Sequence, residues 1–359
     1  MPIHPEMKSP PTSADPPAST KTLPRILTTV VGSYPVPDWL IALPSEQALV
    51  DATRAIFNVQ EMAGIDLVAD GELYRFDPNH PDTNGMIDYF VRPLAGVRSQ
   101  IGRGDVEAFS KISGMQFRRR PAGVVEKKLD EGALDLPGDF ARARQLTRSL
   151  LKFTVTGPHM LTRTLLNRHY SEIADAAMDL ARVLAGQIAV IDADVVQIDE
   201  ANITGHPEDA AWAIPAINTV LDSIQRTRAL HLCFGNYGGQ VIQTGTWTRL
   251  IDFMNQLHVD HVILEMSRRG PEELAALKDL RPEIGIGLGV IDIKTTLVET
   301  ADEVARRLDL AEKKLGVGKV QYAHPDCGFW MLKRSIADRK IATLVQGRNL
   351  YLGTAGMNY

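Results

Sequence analysis

The chain has 359 residues, 44% hydrophobic and 23% charged, with a formal net charge of −5, values ordinary for a water-soluble globular protein. A mild acidic balance argues against a general nucleic-acid or anionic-membrane partner, and no apolar run approaches the ~20 residues that span a bilayer. Two cysteines make no disulfide framework in so long a chain, so free thiols or a metal site in a reducing cytoplasm are expected.

Residues 1–22 are rich in Pro, Ser and Thr without an apolar core segment, which predicts a disordered tail and no secretory signal. From there strand-like runs alternate with helical ones. The strand candidates cover residues 25–35, 66–72, 152–158, 194–200, 229–236, 261–267, 283–292 and 319–328. Most are near-continuous apolar runs, as parallel strands buried on both faces require. Amphipathic helical stretches lie between several of them. Eight strands with helical crossovers predict an α/β fold, a (β/α)8 TIM barrel, over residues 23–359 as a single catalytic domain. The competing doubly wound sheet lacks a GxGxxG after its first strand. An inserted segment follows the second strand, over about 77–150, and reads as a small hairpin plus helix above the barrel mouth. Its Arg118–Arg119–Arg120 run could face an anionic substrate, although a solvated charged face is the commoner outcome for such a run.

Polar residues collect where the apolar runs end: Ser33, Glu72, Asp199 and Glu200, His231 and Cys233, Glu265, Asp292 and Cys327. Barrel active sites are built at this carboxyl end of the strands. A charge there is costly unless paired, metal-bound or solvated in a cleft. His231 and Cys233 lie two apart on one strand and so face the same way. A lone strand histidine is usually hydrogen-bonded core, and a lone cysteine a small hydrophobe. Together with Cys327 they make a soft N/S set suited to zinc.

In order, TTVVGSYP, DGE, TGP, QIDE, HLC, LEMSR, GVIDIK and PDCG resemble the catalytic carboxyl-terminal barrel of cobalamin-independent methionine synthase and its single-barrel relatives, over nearly the whole chain from about residue 25. The resemblance implies a zinc ion held by His231, Cys233, Glu265 and Cys327, with Glu265 displaced when a substrate thiol enters as thiolate. It implies a homocysteine pocket of Ser33, Glu72 and Asp199. Catalytic roles then fall to Asp199 and to Lys294, which stands where the family's methionine synthases carry the histidine that helps protonate the leaving folate nitrogen. Lys294 could supply that proton if burial lowers its pKa, or could bind an anionic group. Thr164 stands where the family has a pterin-stacking Trp.

The implied activity is zinc-dependent S-methylation of homocysteine to methionine, from a methyl-folate or another donor. An alternative is ring-opening alkylation of the kind carried out by epoxyalkane:coenzyme M transferases, which share the barrel type and zinc set. A further one is a barrel working with a methyl-carrier partner such as a corrinoid protein.

Overall fold

The computed structural model describes residues 23–77, 85–112, 118–236 and 242–354. The tail expected over residues 1–22 lies outside the described residues. Eight strands form one parallel sheet: β1 (Leu27–Thr28), β2 (Leu67–Ala69), β3 (Leu150–Thr156), β4 (Val195–Asp199), β5 (Thr227–Leu232), β6 (His261–Leu264), β7 (Gly285–Ile291) and β8 (Val320–Pro325). Neighbours pair in the order β1-β8-β7-β6-β5-β4-β3-β2. A parallel bridge from Thr29 to Leu67 joins the two ends, and the sheet is a barrel. Each apolar run identified in the sequence overlaps one of these strands, two of which, Leu150–Thr156 and Thr227–Leu232, start two residues before their runs.

Helices cover the outside because their sequences supply both caps and an apolar stripe. The helix Glu46–Ala63 starts on Ser45, whose hydroxyl accepts from the Ala48 amide, and stops at Gly64 with φ +84°. A left-handed residue after the last turn is where glycine costs least. The helix Ala301–Leu315 begins with a reciprocal Thr300–Glu303 capping box and buries Val304, Leu308 and Ala311, an i, i+4, i+7 stripe. Among the described residues no helix is long and apolar enough to cross a membrane.

The barrel interior is layered. Leu67, Val195, Ala229, Ile263 and Tyr322 pack with Val31 as an apolar floor. Lys152, Gln197, His261 and His324 are also buried inside the barrel, each at most 1% exposed. The Lys152 ammonium donates to the Val30 carbonyl, and Gln197 Nε2 donates to Val31 O at 2.9 Å and to Asp199 Oδ1 at 2.7 Å. His261 stacks on Tyr322 with ring centres 4.2 Å apart.

Burial, with the nearby Lys152 and His324, depresses His261 to about 3. Its ring therefore stays neutral in the folded protein while the unfolded chain protonates below about 6.5. The unfolded state then binds the extra proton, so stability falls as pH drops from 6.5 toward 3. Compared with His261→Phe, the parent should lose up to about 1.4 kcal/mol per pH unit across that window. Urea unfolding at a series of pH values measures the difference, and a difference that does not change with pH would show that the ring titrates normally.

Between β2 and β3 the chain leaves the barrel. Strands Ala95–Arg98 and Val124–Asp130 pair antiparallel across the helix Arg103–Phe109. Leu166–Asn167 adds a parallel edge to Val124–Val125. Phe109, Val124 and Leu166 form a separate small core there. The start of this excursion, Met86 to Asp88, together with Arg118, reaches the mouth of the barrel.

Candidate functional site

The strand alternation that sets His231 and Cys233 on one face aims both into the barrel mouth. Cys327, in the loop after β8, meets them there. One ligand atom from each of the three lies within 4.8 Å of the others, and the two sulfurs are 3.9 Å apart. His231 Nδ1 is bonded to Asp199 Oδ1 at 2.9 Å, which leaves Nε2 for the cluster. That nitrogen is buried with no hydrogen-bond partner. Burial disfavours a charged His231, yet Asp199 and Cys327 raise it to about 10. The site therefore favours positive charge at Nε2, and two sulfurs plus an imidazole suit zinc. The thiols are unequal: contact with Cys233, and with His231, holds Cys327 well below the ordinary thiol range, while contact with Cys327 and burial push Cys233 up.

Glu265 directly follows β6 and is buried beside this cluster. Its Oε2 accepts from the Phe234 amide at 3.2 Å and from Lys294 Nζ at 3.0 Å, and Arg269 lies 3.8 Å from Oε1. Three of the four residues expected to hold a metal thus converge directly, and the fourth stands next to Cys233 engaged by a lysine. Of the two roles open to Lys294, the one that needs a pKa lowered by burial is corrected. Burial does push it down, but the Glu265 carboxylate more than offsets this and the pKa is raised. Thr164 is fully buried and bonds the Leu161 carbonyl of its own helix at 2.7 Å.

Ser33, Glu72 and Asp199 all line the same cavity as the cluster, a space of about 1100 Å³ that includes its open mouth. Glu72 sits at φ +58°, an uncommon conformation for a non-glycine residue. Its amide donates to Asp70 Oδ1 at 2.8 Å. Its carboxylate accepts from Thr154 Oγ1 at 2.7 Å and pairs with Arg75 at 3.2 Å. Arg118 reaches the cavity with its guanidinium on Asp88 at 2.8 Å, while Arg119 and Arg120 are exposed.

Arg75 and Asp326 matter although the sequence did not single them out, and Glu200, noted there only as a strand-end charge, has a specific structural role. Arg75 is buried, paired with Glu72 and donating to Thr154 Oγ1; a lone arginine three residues after Glu72 was its signal. Asp326 accepts from the Met266 and Ser267 amides, both at 2.9 Å, and so ties the loop bearing Cys327 to the one bearing Glu265. A Cβ at Gly289 would lie 2.2 Å from Asp326 Oδ1, which explains that glycine inside β7. Glu200 caps the helix Pro158–Thr164 through the His159 and Met160 amides at 2.9 and 2.8 Å. A Cβ at Gly157 would come 2.1 Å from Glu200 Oε1, so the TGP and QIDE motifs are halves of one structural contact.

Comparison with known proteins agrees with this architecture. The family model described as "Cobalamin-independent synthase, Catalytic domain" matches residues 26–348. A methionine synthase of Sulfurisphaera tokodaii is 29% identical over 91% of this chain and 93% of its own length. One from Thermococcus kodakarensis is 29% identical over 90% and 93%. In fold, the chain is similar to a B12-independent methionine synthase from Shewanella solved in complex with selenomethionine, with TM-score 0.74 and 22% identity over 90% of this chain and 97% of that one. With so much of its length matched by the family model, the chain belongs to the family of cobalamin-independent synthase catalytic domains.

Proposed function

We propose that this protein is a zinc-dependent thiol methyltransferase that methylates homocysteine to give methionine. The observation that carries the reading is the buried, unpartnered Nε2 of His231 facing two cysteine sulfurs inside a cavity that also exposes Glu72 and Asp199. His231, Cys233 and Cys327 would hold the metal, with Glu265 beside them as the ligand a thiol displaces. Zinc, when bound, keeps a thiol ionised at neutral pH without ending its nucleophilicity. The chain's own groups do the rest. Asp199 orients His231 and, with Glu72, faces the α-ammonium of an amino-acid thiol. Ser33 supplies a hydroxyl for its carboxylate. Arg75 and Thr154 hold Glu72 in place. Lys294 Nζ, 3.0 Å from Glu265 Oε2, would hold that carboxylate beside the cluster. Sulfur gains the methyl group, and the donor leaves with the bonding electron pair. In this reading residues 23–359 are one catalytic barrel, the excursion over 77–150 shapes its mouth, and two working thiols suit the reducing cytoplasm.

Relatives carrying the name methionine synthase across nine-tenths of the chain support this choice. Arg118 at the cavity favours the second reading, a sulfonate thiol such as coenzyme M. Arg118 is already engaged by Asp88, whereas Glu72 and Asp199 both line the cavity and suit an ammonium better. The family's cobalamin-independent description gives no support to a corrinoid partner. Metal analysis should give about one zinc per chain, and X-ray absorption should show one added sulfur ligand with homocysteine but not with alanine. An unchanged zinc shell would overturn the assignment.

A further inference from the structure

Regular strand pairing stops short of Ser33. β1 pairs with β8 over Leu27 and Thr28, and Thr29 adds one bridge to Leu67. The chain then runs through Val30, Val31 and Gly32 to Ser33 outside any ladder. Its place is tight all the same. A Cβ at Gly32 would lie 2.1 Å from Glu72 Oε1, and one at Gly328 would lie 2.0 Å from Ser33 Oγ. The segment is therefore wedged between Glu72 and the loop that bears Cys327. Ser33 O also accepts from the Phe329 amide of that loop at 2.8 Å.

Buried carbonyls that no neighbouring strand takes need other donors. Two side chains of the barrel interior supply them. Lys152 of β3 donates to the Val30 carbonyl, and Gln197 Nε2 of β4 donates to Val31 O at 2.9 Å. Both residues are fully buried. Gln197 Nε2 gives its second hydrogen to Asp199 Oδ1 at 2.7 Å. These two bonds fix the amide's orientation, since the flipped form would set an oxygen against two oxygens. One side chain thus ties the segment leading to Ser33 to the carboxylate of Asp199. Neither Lys152 nor Gln197 lines the cavity, so each acts through another group. Resting on the thiol-methylation reading above, we propose that Gln197 is a positioning residue for substrate recognition. It holds Ser33 and Asp199 at one separation, matched to the carboxylate and the ammonium of an amino-acid thiol. Lys152 supports the Ser33 side alone.

The test needs no methyl donor. Zinc-loaded full-length protein is titrated calorimetrically with homocysteine, with 3-aminopropane-1-thiol, which lacks the carboxylate, and with 4-sulfanylbutanoate, which lacks the ammonium. Gln197→Met keeps the length of the side chain and removes both bonds. It should raise the Kd for homocysteine about tenfold or more, and that for each truncated thiol by less. Lys152→Met should weaken homocysteine and 4-sulfanylbutanoate about threefold or more, and leave 3-aminopropane-1-thiol within about twofold of the parent. In a Ser33→Ala background, Lys152→Met should weaken homocysteine no further, within the same limit. Circular dichroism and zinc content establish that each variant is folded and loaded; where Gln197→Met does not fold, Lys152→Met with Ser33→Ala decides alone. Equal weakening of all three thiols, or a Lys152→Met loss that simply adds to that of Ser33→Ala, reduces both residues to barrel packing and overturns the proposal while thiol methylation stands. A zinc-loaded parent that does not bind homocysteine overturns the thiol reading and this proposal with it.

Discussion

Cys327→Ser is expected to strip the zinc and to convert a pH-independent reaction into one that climbs with pH. The hydroxyl that replaces Sγ is a poor zinc ligand, and only His231 and Cys233 remain at the converging point. Metal content should fall from about one equivalent to under about a tenth. Without metal, homocysteine must ionise unaided. With a thiol pKa near 8.5, only a few per cent is thiolate at pH 7, so loss of thiol activation alone costs roughly thirtyfold. The sign of the pH effect follows: the residual rate rises about tenfold per unit up to about pH 8.5, where the parent is flat. Circular dichroism establishes that the variant is folded. A folded Cys327→Ser protein with full zinc and an unaltered pH profile would contradict the whole assignment. Cys233→Ser should behave alike, since Cys233 is the more buried of the two residues and shares the converging point.

How much of this was legible in the chain depends on what each feature needs. The barrel strands were readable because strands buried on both faces must be apolar throughout, so DVVQID and HVIL announce themselves. His231 and Cys233 were readable because a two-residue spacing fixes their common face. The partners of Glu265 were not, because Lys294 and Arg269 reach it through the closure of the barrel rather than through any local pattern. Burial alone argues for a depressed lysine pKa, and only the Glu265 contact reverses that sign. The excursion was visible as a length anomaly, but the strand Leu166–Asn167 that joins its hairpin comes after β3, is two residues long and pairs with Val124–Val125. Lys152 hides within an apolar run, and its meaning comes from the Val30 carbonyl across the barrel. Phe329 acquires its place from the Ser33 carbonyl, almost three hundred residues away. Such features depend on contacts between distant strand ends, and a single chain carries no periodicity that encodes them.

Asp199 joins the two halves of the site, and its removal should therefore be felt in two separable ways. Its Oδ1 accepts from His231 Nδ1 at 2.9 Å and from Gln197 Nε2 at 2.7 Å, while its side chain also faces the cavity. In Asp199→Ala the imidazole loses the partner that fixes its tautomer and orientation, which typically costs 10- to 100-fold in metal affinity, about 1.4–2.7 kcal/mol. The variant also loses a charge-assisted contact to the substrate ammonium, worth roughly 1.5–3 kcal/mol. The two losses together predict about a thousandfold fall in kcat/KM at subsaturating zinc. Asp199→Asn divides them. The amide oxygen can still accept from His231, so zinc affinity should recover most of the way, whereas the lost negative charge keeps the homocysteine KM high. Glu72→Gln is the complement, raising the homocysteine KM with no change in zinc affinity, because Glu72 pairs with Arg75 rather than with a cluster residue. Zinc competition with a chelator gives the first quantity, and steady-state kinetics at saturating zinc give the second. If Asp199→Asn bound zinc as weakly as Asp199→Ala and homocysteine as tightly as the parent, Asp199 would be serving the metal alone, and the ammonium would have to be assigned to Glu72 and Asp88.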